Sequence, residues 1–500
     1  MNRQHHNTCT IVHELWHHLN LPASALDSLS ISPLTAPAIR SSFKIDHLAQ
    51  STIALSALTA ALVGSTRAPK THHAYASSGS DTSSSGDVVV PRVTVNPHHA
   101  LAEFQAERLY RLNGQPPVSS WGPIGGLHRT RDGHVRVHDN FPHHRDGALA
   151  LLGLPMDADR AAVAARLRER EALAVESAAA QRGVPVYKLR SFEAWDRTPQ
   201  ATVLDPLPVT IRKVGEAPPR RCLRPGPGPP PAGDRGTRCL AGLRVLELTR
   251  VIAGPVAGKT LAAHGADVVR VVGPGLPDLP ALDVEFDRGK RVVALDLDVA
   301  ADEAAVRELA RGCDVLVQSF RPGSLAARGL GSGDLAGMNP GIVVADLSAF
   351  GARGPWGGRR GFDSLVQTCT GLNVAEAEAL GAKGERARPL PCQALDHAAG
   401  FLLAAGVSAA VYRRSVEGGS WVVEVSLAGV GKYLRSLGRY EGWSGAEDAG
   451  QGCEESWFEV AETGFGEMRY VRHAAEVEGC DVGWDILPKP LGLDEARWLV

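Results

Sequence analysis

Five short runs of apolar, mostly β-branched residues recur in the second half of the chain. They span residues 243–248, 268–272, 292–297, 315–319 and 342–347. Helical stretches such as residues 303–311 separate several of them, and this alternation is typical of a parallel sheet covered by helices. The pattern therefore predicts the α/β fold class. Ligands of such sheets bind beyond the carboxyl ends of the strands, near residues 250–255 and 320–323.

The longest apolar stretch, residues 398–412, follows a lone acid, Asp396. The stretch is too short to span a bilayer and predicts a buried helix. A carboxylate about one turn into a helix lies near unpaired backbone N–H groups and the positive end of the helix dipole. It can therefore stay ionised while largely removed from water, which suits a nucleophile. An Asp that caps the helix or edges the core is the alternative.

Composition agrees with a soluble enzyme. The 500 residues are 44% hydrophobic, which is enough for proper cores in more than one domain. A net charge of −2 gives no reason to expect nucleic acid or a membrane as a partner. The eight cysteines form no regular framework, and the N-terminal residues lack the pattern of a secretory signal. We therefore expect a cytoplasmic protein.

Three composition breaks predict irregular segments. Residues 64–87 are rich in Ser, Thr, His and Gly, residues 218–238 contain the run PGPGPPPAG, and residues 441–455 are acidic and rich in Gly. We expect a mobile loop, an extended linker and a surface loop, because none of these compositions supports a helix or a strand.

An ordered series of motifs carries a family resemblance. The series is GLRVLELTRVIAGP at 242–255, LAAHGADVVRV at 261–271, GKRVVALDL at 289–297, SFRPG at 319–323, GFDSLVQ at 361–367 and LPCQALDHAAG at 390–400. Over residues 240–440 the chain resembles the class III CoA-transferases, also called CaiB/BaiF, whose relatives include formyl-CoA transferase, carnitine CoA-transferase and 2-methylacyl-CoA racemase. The resemblance implies a parallel, Rossmann-like sheet flanked by helices, with a smaller α+β domain.

The resemblance also implies a reaction and a site. Asp396 corresponds to the catalytic nucleophile, which would exchange CoA between an acyl-CoA thioester and a carboxylic acid through a covalent aspartyl intermediate. Coenzyme A is then a substrate, and neither a permanent cofactor nor a metal is expected. A homodimer is one arrangement that the resemblance allows. By the family pattern, the CoA pocket would be formed by Val251, Ala253, Pro255, Lys290, Arg291 and Phe320.

Three positions depart from the family pattern and keep alternatives open. Val272 stands where an acid is usual, and the expected Arg after the Pro-Gly turn is shifted to Arg328. Phe362 replaces the His that acts as second acid/base partner in the related racemases, and a phenyl ring cannot exchange protons. A racemase-like isomerase therefore fits less well than a transferase. A non-catalytic paralogue that acts as an assembly subunit is a further alternative.

An internal repeat is also visible. Residues 43–54 align with residues 393–404. Each segment has an Asp followed directly by a His, with the Asp at Asp46 and at Asp396, before an apolar helix. We therefore expect residues 1–110 to be a truncated first copy of the unit, in which Asp46 is a structural remnant. The remaining expected parts are a small α/β domain at 111–217, a linker at 218–238, the large catalytic domain at 239–440, and a C-terminal segment at 441–500 that returns to it.

Two short motifs suggest other chemistry. HELWH at 13–17 fits the zinc-protease helix, but no third ligand stands out downstream, and an amphipathic helix that buries Val12, Leu15, Trp16 and Leu19 is the better interpretation. AGPVAGKT at 253–260 resembles a phosphate-binding loop, with Asp346 as a magnesium ligand. Its first position is Ala and Pro255 removes a backbone N–H, so a P-loop nucleotide hydrolase is a remote alternative.

Overall fold

The structure is a computed structural model that describes residues 3–34, 36–66, 89–220, 238–381, 386–440 and 453–499. The three irregular segments predicted from composition lie largely outside the described residues. The helices, in chain order, are α1 Thr8–His18, α2 Ile45–Ser65, α3 Pro97–Glu103, α4 Ala106–Leu109, α5 Pro142–Leu152, α6 Arg160–Arg168, α7 Ala172–Gln181, α8 Phe192–Asp196, α9 Pro199–Thr202, α10 Ala253–Ala263, α11 Pro280–Phe286, α12 Ala300–Gly312, α13 Ser332–Met338, α14 Asp363–Cys369, α15 Leu372–Ala379, α16 Ala394–Glu417 and α17 Leu427–Ser436.

Strands alternate with these helices along the chain. They are β1 Leu29–Ile31, β2 Val93–Val95, β3 Arg111–Leu112, β4 Gly126–Arg129, β5 His134–Val137, β6 Val186–Lys188, β7 Val209–Gly215, β8 Arg244–Leu248, β9 Asp267–Val272, β10 Lys290–Ala294, β11 Val315–Gln318, β12 Val343–Ser348, β13 Ser420–Ser426, β14 Phe458–Thr463, β15 Gly466–Val471 and β16 Ala475–Val477.

The largest sheet has seven strands in the order β10-β9-β8-β11-β12-β13-β7. Every neighbouring pair is parallel except β13 and β7, which run antiparallel at one edge. The five strands predicted from the apolar runs are β8 to β12, and α12 covers the helical stretch predicted at 303–311. The predicted α/β class and parallel sheet are therefore confirmed.

Three small sheets join parts of the chain that are far apart in sequence. β16 pairs with β2 and β15 pairs with β3, so residues after 465 are tied to residues before 113. The third small sheet, β4-β5-β6, packs with α5, α6 and α7 around its own apolar core, which includes Val135, Leu149 and Val163.

The centre of the molecule is the pair of long helices α2 and α16, which pack against each other, while α16 also packs on α10, β12 and β13. Gly400 permits the close approach of α16 to α10, because a Cβ at this position would lie 2.5 Å from Val256 and 2.7 Å from the Ala253 carbonyl oxygen. This contact fixes the first turn of α16, and with it Asp396, against the loop that follows β8.

By length and composition, α2 and α16 are the two described helices that are apolar enough to cross a bilayer, and both are buried inside the protein. In α16, the residues from Ala398 to Val411 are all buried, because neighbouring helices and the sheet surround it. The buried helix predicted from residues 398–412 is confirmed.

Candidate active site

Asp396 lies in the first turn of α16, 7% exposed, at the junction of two cavities. One cavity, the arginine cleft, has a volume of about 330 Å³ and contains four guanidinium groups, from Arg250, Arg321, Arg359 and Arg360. The other, the apolar chamber, has a volume of about 350 Å³, and its apolar wall includes Pro116, Pro117, Val118, Trp121, Leu279 and Leu282.

Both cavities share the same dividing wall, which consists of Val251, Ile252, Phe362 and Asp396. The arginine cleft also adjoins a wider cavity of about 650 Å³, with which it shares Arg321. A ligand that is polar at one end and apolar at the other could therefore pass Asp396 with each end in a matching environment.

The backbone of Val251 is strained, which the sequence did not predict. Its φ angle is +73°, a conformation that a β-branched residue rarely adopts and that costs on the order of 1–3 kcal/mol. The strained residue lies in the shared wall, in the turn between β8 and α10. Strained backbone of this kind concentrates at functional sites, which marks this turn as part of the site.

The N-terminus of α16 is capped by a second buried acid, Asp363. Its Oδ2 accepts hydrogen bonds from the backbone N–H groups of Leu395 (2.8 Å) and Asp396 (2.9 Å), and Gln367 donates to its Oδ1. The backbone N–H groups that we expected to stabilise the Asp396 carboxylate therefore donate to Asp363 instead. Our expectation that the helix terminus keeps Asp396 ionised is therefore wrong.

The charges around Asp396 act in the opposite direction. Burial, and then the negative charges of Asp363 and Glu107, raise the pKa of Asp396 well above its ordinary value. Burial also raises the pKa of Asp363, to about 6, although its three hydrogen-bond donors favour the ionised form. Two carboxylates this close do not readily ionise together, so the proton of the pair rests on Asp396.

The structure places three of the predicted CoA contacts in the arginine cleft. These are Val251, Ala253 and Phe320. Pro255 lies in α10, where its carbonyl oxygen accepts a hydrogen bond from Lys290 Nζ at 2.8 Å.

Lys290 and Arg291 do not line the cleft, and each forms an ion pair with an acid elsewhere in the protein. Lys290 Nζ lies 2.9 Å from Glu247 Oε1 with both side chains fully buried. Arg291 donates to Asp267 at 2.7 Å and to the backbone oxygen of Arg497. Their positive charges are therefore neutralised by acids of the protein itself.

The cationic residues of the cleft, none of which was named as a CoA contact from the sequence, come from three separate loops, and Arg250 and Arg321 lie in the ranges 250–255 and 320–323 where ligands were expected. Arg250 follows β8, Arg321 follows β11, and Arg359 and Arg360 precede α14. Arg250 Nη2 and Arg359 Nη1 are buried and have no hydrogen-bond partner among the described residues. Burial, then Arg321 and Arg250, lower the pKa of Arg360, so these cations repel one another and favour a bound anion.

Two histidines lie beside the dividing wall, and the sequence analysis named neither as a site residue. The His138 ring stacks on Phe362 with 3.9 Å between centroids, and His144 lies edge-on to Phe362 at 5.6 Å. Burial is the main cause that lowers the pKa of His138 to about 3 and that of His144 to about 2. Both rings are therefore neutral near pH 7, and neither Nδ1 has a hydrogen-bond partner among the described residues.

The zinc-protease interpretation fails on geometry. The predicted amphipathic helix is α1, and it buries Val12, Leu15 and Trp16. Glu14 is held by Arg3 at 2.8 Å and by the Tyr433 hydroxyl. In the part of the chain that the structure describes, no group of three His, Cys, Asp or Glu side chains could hold a metal ion.

The phosphate-loop interpretation fails for a similar reason. Lys259 lies inside α10 and is 1% exposed, with its Nζ 2.8 Å from Glu285. Asp346, the predicted magnesium ligand, accepts a hydrogen bond from Gln318 at 2.8 Å. A lysine that neutralises a buried acid has no free charge for a nucleotide phosphate.

Comparison with known proteins identifies the segment that contains Asp396. Residues 240–452 match the sequence model of CoA-transferase family III. The chain is 35% identical over 210 residues to a probable fatty acyl-CoA transferase, Rv3272, of Mycobacterium tuberculosis, which covers 39% of this chain and 52% of the relative. It is 32% identical over 194 residues to a formyl-CoA:oxalate CoA-transferase of Rhodopseudomonas palustris, covering 36% and 44%.

A human succinyl-CoA:glutarate CoA-transferase is 32% identical over 157 residues, 29% of this chain and 36% of the relative. A crystal structure of Rv3272 from M. tuberculosis aligns with 33% identity and a TM-score of 0.36, over 40% of this chain and 59% of that chain. The chain thus spans about half, or less, of the length of these relatives. The resemblance read from the motifs is confirmed, because residues 240–452 match the model of CoA-transferase family III.

Proposed function

We propose that the protein transfers CoA between an acyl-CoA thioester and a carboxylic acid, with Asp396 as the nucleophile. The observation that carries the proposal is the position of Asp396, where an arginine-lined cleft meets an apolar chamber. An acyl-CoA has the same division, because its anionic nucleotide and its acyl group lie on opposite sides of the thioester. The names of the relatives support the same reaction class.

In this proposal CoA lies in the arginine cleft. Guanidinium groups bind phosphate through paired, charge-assisted hydrogen bonds, so Arg250, Arg321 and Arg360 take the role first assigned to Lys290 and Arg291. Val251, Ala253 and Phe320 remain proposed contacts. The adjoining cavity of about 650 Å³ extends the cleft beyond Arg321 and offers room for the nucleotide end.

The reaction begins with attack of the Asp396 carboxylate on the thioester carbonyl carbon. The C–S bond breaks, CoA leaves as the thiolate, and an aspartyl anhydride remains. The thiolate then attacks the aspartyl carbonyl, which releases the first acid as a carboxylate and leaves an aspartyl-CoA thioester. The second acid reverses these steps, so that each bond formed is balanced by one broken and no external proton is needed.

The raised pKa of Asp396 has a function in this scheme. Asp396 is buried, so its carboxylate is poorly solvated and is a stronger nucleophile once it has ionised. We therefore infer that Asp396 releases its proton to solvent before its carboxylate attacks the thioester.

The direct test incubates the purified protein with a panel of acyl-CoA thioesters and free acids, with succinate among them, and detects new CoA esters by mass spectrometry. Formation of a new ester that stops in the Asp396→Asn variant supports the proposal. Absence of exchange with every pair, or equal exchange in that variant, contradicts it.

A racemase-like isomerase is the second candidate, because His138 and His144 place imidazoles beside Phe362. These rings could stand in for the acid/base group that Phe362 lacks. Deuterium uptake at the α-carbon of a 2-methylacyl-CoA in heavy water is the distinguishing measurement. Uptake without CoA exchange would favour the isomerase.

We further infer that residues 1–110 are a truncated copy of the unit that contains Asp396. Both copies have an acid in the first turn of a long buried helix, which is followed by a strand and then by a second helix. In each copy a polar side chain at the end of the strand caps this second helix. Asn96 caps α3 after β2, and Ser426 caps α17 at the end of β13. Residues 111–217, 218–238, 239–440 and 441–500 remain the proposed further divisions.

A further inference from the structure

The apolar chamber combines two features that together specify a ligand. Most of its wall is apolar, with contributions from the segment before β4, from α11 and its N-cap, and from the turn after β8. Two polar groups nevertheless lie in that wall without a partner. Ser364 Oγ and His138 Nδ1 are buried, each in a residue that is 5% exposed, and neither has a hydrogen-bond partner among the described residues.

An unpaired buried donor costs roughly 1–3 kcal/mol, so such groups are normally satisfied. Here both belong to the wall that also contains Asp396. A hydroxyl and a neutral imidazole can each donate a hydrogen bond to an oxygen. The wall that contains Asp396 therefore offers two unpaired donors to a polar head group.

The charges in the chamber wall disfavour a second carboxylate on the ligand. Its wall contains three acids, Glu107, Asp363 and Asp396, and one guanidinium, Arg108. Arg108 Nη1 donates to the backbone oxygen of Pro391. A second carboxylate on the ligand would add to this excess of negative charge, whereas a hydrocarbon chain would contact Trp121, Leu279 and Leu282.

We propose that the apolar chamber binds the chain of an apolar monocarboxylic acid, whose carboxylate is held by Ser364 and His138 beside Asp396. This inference rests on the proposed CoA transfer and names its substrate class. Trp121 and His138 lie outside residues 240–452, so the acids in the names of the relatives do not determine this specificity. Ser364 and His138 orient the carboxylate for attack on the aspartyl thioester.

The first test compares octanoate with octanedioate, which have the same number of carbons and differ by one terminal carboxylate. Calorimetric titration measures binding, and mass spectrometry measures acyl-CoA formation. We expect octanoate to be bound and used at least tenfold better. Affinity should also rise about threefold to fourfold for each methylene between butanoate and octanoate, until the chamber is full.

The outcomes separate the two proposals. Equal or better use of octanedioate overturns the assigned substrate class while the transferase function stands. Binding of octanoate without transfer supports the chamber assignment and contradicts the proposed function. If neither acid is bound or transferred, the chamber assignment is wrong.

Ser364→Ala tests the head-group contact. Because Ser364 Oγ has no hydrogen-bond partner among the described residues, its removal should leave the unfolding midpoint unchanged or raised, and octanoate binding should weaken about tenfold. A residue with a purely structural role would show the reverse, a lower midpoint with unchanged affinity. That result would overturn the contact.

Val118→Arg tests the rim of the chamber with a variant that can fold, because Val118 is 81% exposed. The added guanidinium should raise the use of octanedioate relative to octanoate by about tenfold or more. Val460→Arg is the matched control, since Val460 is 58% exposed in β14 and lies outside the chamber wall. An equal change in both variants would contradict the proposal.

Discussion

The helices α2 and α16 pack side by side, and each carries an acid in its first turn, yet the two carboxylates have opposite surroundings. Asp46 accepts hydrogen bonds from the Ala38 N–H (3.0 Å), the His47 N–H (2.8 Å) and the Tyr440 hydroxyl (2.6 Å). It is fully buried and lines neither the arginine cleft nor the apolar chamber. Because three donors hold Asp46 and neither of these two cavities reaches it, we expect its role to be structural.

Asp396 has the reverse arrangement. Its carboxylate has no hydrogen-bond donor among the contacts of the described residues, while Asp363 takes the N–H groups of the helix end. The comparison teaches that a first-turn acid is not enough to define a nucleophile. What distinguishes the two is which side chain caps the helix and whether a cavity reaches the carboxylate.

Replacing Asp396 should have the largest effect. Asp396→Ala should reduce the rate of CoA transfer by roughly four orders of magnitude or more, because the covalent step is lost. The fold should be retained, since Ala is a better helix former than Asp and the variant removes a buried acid with a raised pKa. Transfer at the wild-type rate would remove Asp396 from its role.

Lys259→Ala should reduce stability more than affinity. Glu285 would keep Arg288 as a partner but lose the Lys259 ammonium in a fully buried site, and breaking such a pair costs about 3–5 kcal/mol. Urea denaturation measures this loss, and calorimetry with CoA should show only a modest change in affinity. Abolished CoA binding in a folded variant would instead support a phosphate contact.

Asp46→Ala should lower stability and leave the chemistry nearly unchanged. The Tyr440 hydroxyl and the Ala38 N–H would lose their acceptor, at a cost of about 1–3 kcal/mol in the free energy of unfolding. Transfer rates measured well below the unfolding midpoint should match the unmodified protein. A loss of activity as deep as that in Asp396→Ala would show two active carboxylates.

Asp363→Asn should have the smallest effect, on the pH profile. The ionised form of Asp396 is the nucleophile, so kcat/KM should rise with pH as Asp396 deprotonates, at a higher pH than for an ordinary carboxylate. Because the Asp363 charge helps to raise that pKa, its removal should move the acid limb to lower pH. An unmoved limb would show that Asp363 does not act on Asp396.

The sequence predicted the parallel sheet because each of its strands is a buried, β-branched run whose signal is local. It could not predict that β7 adds an antiparallel edge strand or that β15 pairs with β3. Such pairings depend on which chain segments meet after the helices pack, and the exposed residues of β7 carry no signal for its partner.

The site shows the same limit. Asp396 was found because an acid beside an apolar helix is conspicuous in the sequence. The ranges expected to bind ligands contain Arg250 and Arg321, but neither was named as a CoA contact, because the arginines of the cleft come together only in the folded chain. Lys290 was predicted to contact CoA but is not in the cleft. The sequence around Lys290 cannot show that Glu247 neutralises its charge in the core.

The central claim is that a covalent aspartyl intermediate forms on Asp396, and chemical trapping tests it most directly. Hydroxylamine added during turnover with an acyl-CoA converts an aspartyl anhydride or thioester to a hydroxamate, which peptide mass spectrometry locates. We predict the hydroxamate on Asp396, none on Asp46, and none in the Asp396→Asn variant. Sustained CoA transfer with no label on Asp396, or with the label on Asp46, would contradict the account.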